Sequence, residues 1–96
     1  MYFITVFENV AEWPDTGDQR TWGYYYKFAD AQKAVKNNLT DLHENCYNYA
    51  LIERIDQGIC GYAEQMQWYV WDYENQRYAE MDQPESMKRL CNLALG

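Results

Sequence analysis

The single histidine of this 96-residue chain, His43, lies in Asp41-Leu42-His43-Glu44-Asn45-Cys46, a stretch that gathers a base, a thiol and two carboxylates. Three residues apart on a helical turn, His43 and Cys46 would supply the two partners of a thiolate–imidazole nucleophile. No orienting group or glycine-rich oxyanion element accompanies them. A zinc ion needs three or four ligands in a tetrahedron. Asp41, His43 and Cys46 offer part of such a set, but the chain has no CxxC or HxxxH to complete it. Carboxylate pairs such as Asp72 with Glu74 and Glu80 with Asp82 suggest glycoside hydrolysis, which needs two carboxylates across a cleft. Strand alternation, however, sends Asp72 to the face opposite its neighbours Trp71 and Tyr73. GxGxxG, P-loop and GxSxG motifs are all missing. The sequence therefore assigns no catalytic residue, no metal ligand and no cofactor, and a non-enzyme is expected. His43 and Glu44 read as groups that satisfy neighbours where a helix hands over to a strand.

Binding is where residues accumulate. Ten Tyr, four Trp and three Phe make up the aromatic complement. Most stand in four short runs: 2–7, 22–28, 47–52 and 68–73. One small core cannot hide so many rings, and Tyr and Trp each carry a polar tip that needs a partner when buried. Alternation puts Trp22, Tyr24, Tyr26 and Phe28 on one face of their run, and Tyr69, Trp71 and Tyr73 on one face of theirs. One face of each strand must meet a helix, and the other stays aromatic. A symmetric dimer would cover that second face, so a homo-oligomer is expected. A flat anionic ligand would use the rings for its base and arginines for phosphate. The residues expected to bind it are Trp22, Tyr24, Tyr26, Trp68, Tyr69 and Trp71 by stacking, with Arg54 and Arg77 as counter-charges.

The elements that must position these groups follow from periodicity. Residues 2–8 and 20–27 alternate as strands around a Pro-, Gly- and Asp-rich loop at 9–19. Residues 29–38 form a helix, because Phe28, Ala31, Val35, Leu39 and Leu42 step by three or four. Asn37-Asn38 is its stop, and Thr40 is a candidate cap for a short turn through Glu44; one bent helix to about Asn45 is the alternative. A third strand spans 47–55, and 67–73 with 76–81 make a hairpin across Glu74-Asn75. Residues 59–66 fit neither period. Pro84 opens a terminal helix, with acidic groups at its positive end. The order ββα–βββα gives one α+β domain over residues 1–96, with a mainly antiparallel sheet of about five strands.

In order along the chain, Gly23-Tyr24, Phe28, Ala31, Ala34-Val35, Asn38, Asp41, His43-Glu44, Tyr47, Tyr49-Ala50, Ile52-Glu53, Gly58-Ile59 and Trp68-Tyr69-Trp71 form a pattern over roughly residues 20–78. On these residues the chain resembles a group of short proteins of gut Firmicutes and the phages that infect them. The resemblance implies a fold and a phage context and carries no catalytic residues with it. Net charge is −7, from 15 acidic and 8 basic side chains. Such a chain is not expected to bind duplex nucleic acid or an anionic membrane directly. Three cysteines and a first strand in place of a leader suggest a reduced, cytoplasmic setting. The primary expectation is a non-enzymatic sponge that sequesters a nucleotide immune signal in an aromatic pocket. The alternative is an acidic inhibitor that masks the basic nucleic-acid-binding surface of a host protein.

Overall fold

The computed structural model describes residues 1–8, 17–84 and 92–95. These form five strands and one helix: β1 (Tyr2–Phe7), β2 (Gln19–Tyr25), α1 (Phe28–Lys36), β3 (Tyr49–Arg54), β4 (Glu64–Asp72) and β5 (Arg77–Met81). The strands make one antiparallel sheet in the order β2-β1-β3-β4-β5. The α+β class and the antiparallel sheet are therefore as the sequence implies, with a single helix among the described residues. The terminal helix expected from Pro84 falls on residues 85–91, outside the described residues.

The alternation of β1 sorts its side chains between two cores. Ile4 and Val6 point to the helix side, where they meet Ala31, Ala34 and Val35 of α1, Ala50 and Ile52 of β3, and Tyr69, Trp71 and Tyr78. Phe7 points the other way, into a smaller cluster with Leu51, Trp68 and Leu93. The helix ends where the sequence places its stop: Asn37 is the C-cap, and Asn38 turns left-handed at φ 47°. Asn tolerates that conformation better than other residues with a Cβ.

Two β-bulges explain where simple alternation fails. Against β1, Gly23 faces Ile4 and Thr21 faces Thr5, so Trp22 is the extra residue of β2. Such an insertion reverses the alternation beyond it. Trp22 and Tyr25 pack on the helix-side core, while Tyr24 lies against Phe3, so the expected shared face of Trp22, Tyr24 and Tyr26 does not form. Against β3, Gln67 faces Ile52 and Gln65 faces Glu53, leaving Met66 as the extra residue of β4. That break hides the start of β4 from a period-two search over 59–66.

The second face of the sheet needs no other molecule over Phe7, Leu51 and Trp68, because residues 92–95 lie there. Glu53, fully buried, accepts hydrogen bonds from the amides of Leu93 (3.0 and 3.2 Å) and Ala94 (2.9 Å). Gln19 Nε2 donates to Leu93 O at 3.0 Å, and Thr21 Oγ1 donates to Ala94 O at 3.1 Å. The expectation of an open aromatic second face is corrected here: the chain covers that part with itself.

Candidate functional site

Among the described residues, the connection from α1 to β3 is the least ordinary backbone. Asn38, Thr40, Asp41, Glu44 and Asn45 all have φ between 47° and 63°, and none is glycine. A β-branched residue such as Thr40 in that region is a true outlier, and strain of this kind gathers at functional sites. Thr40 does not cap a turn; its hydroxyl donates to Leu39 O at 2.6 Å. The loop is held by its own polar groups. The His43 amide donates to Asn38 Oδ1 at 3.0 Å, Asn38 Nδ2 donates to Asp41 Oδ1 at 3.3 Å, and the Cys46 and Tyr47 amides both donate to His43 O at 2.9 Å. Leu42 and His43 are the buried pegs that fix it to the sheet.

His43 lies flat on Trp71, ring centres 3.8 Å apart and planes within 7°, with Tyr78 and Tyr73 edge-on. Tyr78 donates its hydroxyl to Tyr47 O at 2.7 Å, and Tyr73 bonds Asn48. Burial lowers the His43 pKa, and the Asp41 carboxylate partly offsets this. Burial raises the Cys46 thiol, and Glu8, Glu44, Asp18 and Asp41 push it further. A neutral imidazole inside the core and a protonated thiol at the surface are the reverse of a thiolate–imidazolium pair. The nucleophile considered from sequence has no support in this geometry. Among the described residues no group of three or more His, Cys, Asp or Glu is placed to hold a metal ion.

Beside the loop, Glu44 pairs with Arg20 of β2 at 3.0 Å, and Arg20 lies 3.9 Å over the Trp22 ring. Trp22 Nε1, His43 Nε2 and Glu44 Oε2 are buried with no hydrogen-bond partner among the described residues. Glu8 lies beside Asp18, whose carbonyl accepts its amide at 3.0 Å, and Glu8, Asp18, Asp41 and Glu44 are all near enough to Cys46 to raise its thiol. The adjoining β4–β5 turn adds Asp72, whose carboxylate is held below its usual range by the Asn75 side chain and amide. Exposed Tyr73 also stands on that turn.

The residues expected to form one pocket are dispersed. Tyr69 and Trp71 are buried on the helix side, and Trp68 is buried on the other. Burial pushes the Tyr69 hydroxyl up to about 12; Gln32 lies close enough to soften that shift without reaching hydrogen-bond geometry. Trp22 is half-buried under Arg20. Tyr24 and Tyr26 are exposed and pack edge-on to each other at 5.8 Å. Arg54 is held by Glu64 at 2.6 Å and Asp56 at 3.7 Å. Arg77 faces Asp72 at the other end of β4. At about 3.3 Å per residue the two arginines stand roughly 25 Å apart, too far to grip one small phosphate together. Sequence reasoning missed Leu39, Thr40 and Tyr25, which with Trp22, Ala34 and Leu42 line a shallow notch of about 200 Å³ between the loop, α1 and β2. Only the helical stripe that includes Leu39 and Leu42 hinted at it. No family model, curated protein or solved structure matches this chain.

Proposed function

We propose that this chain is a non-enzymatic binding protein whose acidic sheet end engages a basic surface of a partner protein. The observation that carries this reading is geometric: Glu8 and Asp18 are joined backbone to backbone at 3.0 Å, and Arg20, two residues after Asp18, reaches Glu44 at 3.0 Å on the loop that also carries Asp41. A rigid, strained loop holds two of the four carboxylates in place, so little order need be gained on binding. Such a surface steers a basic partner by charge and rejects nucleic acid. In the phage setting that the resemblance implies, the partner would be a host nucleic-acid-binding protein whose basic groove is masked. Nucleotide sequestration draws less support, because Trp68, Tyr69 and Trp71 are spent on the cores, and exposed Tyr24 and Tyr26 meet edge to face and form no parallel pair for a base to enter.

The test is an amide-resolved NMR titration with a short oligolysine peptide. Shifts should concentrate at Asp18, residues 41–47 and the 73–76 turn, and should fade at high salt. Asp18→Asn with Asp41→Asn should weaken binding by about five- to thirtyfold, given roughly 0.5–1 kcal/mol for each of the two exposed charges. Shifts spread evenly over the surface, or unaffected by the double substitution, would overturn the reading. Release of a stoichiometric intact nucleotide on denaturation would replace it with sequestration.

A further inference from the structure

The sheet has two edges, β2 and β5, and they are finished differently. On β5, five residues long, Arg77 and Glu80 are charged, and Glu80 is tied down to α1 by Gln32 (2.9 Å) and Lys36 (2.8 Å). Charges and a covering helix are the usual guards of an exposed edge. On β2, seven residues long, the run Thr21-Trp22-Gly23-Tyr24-Tyr25 has no charge and no proline. Among the described residues its guards lie toward its start and middle: Arg20, paired with Glu44, the side-chain bonds of Gln19 and Thr21 to residues 93 and 94, and the bulge at Trp22; Tyr24 and Tyr25 beyond it have none of these. Apolar surface also collects along this edge: Tyr24 is 49% exposed, Tyr26 78% and Leu39 49%. On one face Phe3, Tyr24 and Tyr26 form a row leading out to the edge, at 5.4 and 5.8 Å. On the other lies the notch lined by Trp22, Tyr25 and Leu39.

We infer that β2 pairs antiparallel with β2 of a second copy of this chain, joining the two sheets across a twofold axis. Charge selects this occupant. Asp18 stands just before β2 and Lys27 just after it; both are exposed, and neither forms an ion pair among the described residues. A strand with an acidic entrance and a basic exit complements itself when reversed, and the isologous symmetry delivers that match twice. Setting Asp18 opposite Lys27 centres the axis between Trp22 and Gly23. Each Trp22 then lies beside Gly23 of the other copy, where a Cβ would find nothing within 4 Å. Reversal also sends the two acidic sheet ends to opposite ends of the joined sheet, so the −7 of each chain is not concentrated. The dimer presents Glu8, Asp41 and Glu44 twice, while Asp18 is engaged by Lys27 of the second copy.

Sedimentation of the full chain over a range of concentrations tests this, with the monomer mass of 11.5 kDa as reference. The wild type should move reversibly to twice that mass. Asp18→Lys alone and Lys27→Asp alone each set like charges at both ends of the paired strands, and each should weaken self-association about tenfold. The combined D18K and K27D chain should restore it. Circular dichroism of each variant separates loss of pairing from loss of fold. A wild type monomeric throughout, or a dimer indifferent to both reversals, would overturn the inference.

Discussion

Glu53 is a buried carboxylate whose partners among the described residues are backbone amides. Burial raises its pKa, and the bonds from Leu93 and Ala94 pull against that rise without cancelling it. Removing the carboxylate would leave those amides without their acceptor. Glu53→Ala should therefore cost about 2–4 kcal/mol in urea denaturation, with Glu53→Gln costing less because it keeps one acceptor. The pH dependence follows from the direction of the shift. The folded chain holds the Glu53 proton more tightly than the unfolded chain does, so folding gains most from this group below the ordinary glutamate value of about 4.3. That gain is lost as pH rises through the elevated folded value. The stability of the wild type relative to Glu53→Gln should fall between about pH 4 and neutrality. A constant difference would mean that Glu53 titrates normally. Nothing in the local sequence marks this residue, which alternates between Ile52 and Arg54 like any strand glutamate. Its partners lie 40 residues away.

The 37–48 connection shows at the element scale how far local signals reach. Asn37-Asn38 ends the helix as expected, because the residue needed for a left-handed turn is written into the chain. Thr40 carries the opposite local signal, since threonine favours caps and extended backbone, yet it sits at φ 56°. Tertiary anchors override it: Leu42 and His43 are both buried just beyond Thr40, and their burial outweighs its local preference. Thr40→Gly should relieve the strain and stabilise the fold by about 0.5–1 kcal/mol after the entropy of the unfolded glycine is deducted. A thermal melt would register that as a rise of a few degrees for a domain of this size. A lower melting temperature would show instead that the Thr40 hydroxyl bond to Leu39 outweighs the strain.

At the scale of the whole molecule, the elements were legible from periodicity and their environment was not. Alternation placed all five strands near their observed positions, and a step of three or four placed α1. The bulges at Trp22 and Met66 each shift alternation by one, so the sides of β2 and the beginning of β4 could not be read residue by residue. The fate of the aromatic residues depended on contacts between distant segments, which put Trp68 under Leu93 and Trp71 under His43. The surplus of negative charge also acts globally. Screening should raise the melting temperature as ionic strength increases from very low values, because repulsion among the carboxylates outweighs the exposed pairs Arg54–Glu64 and Lys36–Glu80. A falling melting temperature would reverse that ranking. The strip 92–95 has one more effect, in the time domain. During synthesis all five described strands are made before the residues that shield Phe7, Leu51 and Trp68. The nascent sheet therefore passes through an interval in which this face meets water or a chaperone, and docking of Leu93 onto it closes that interval.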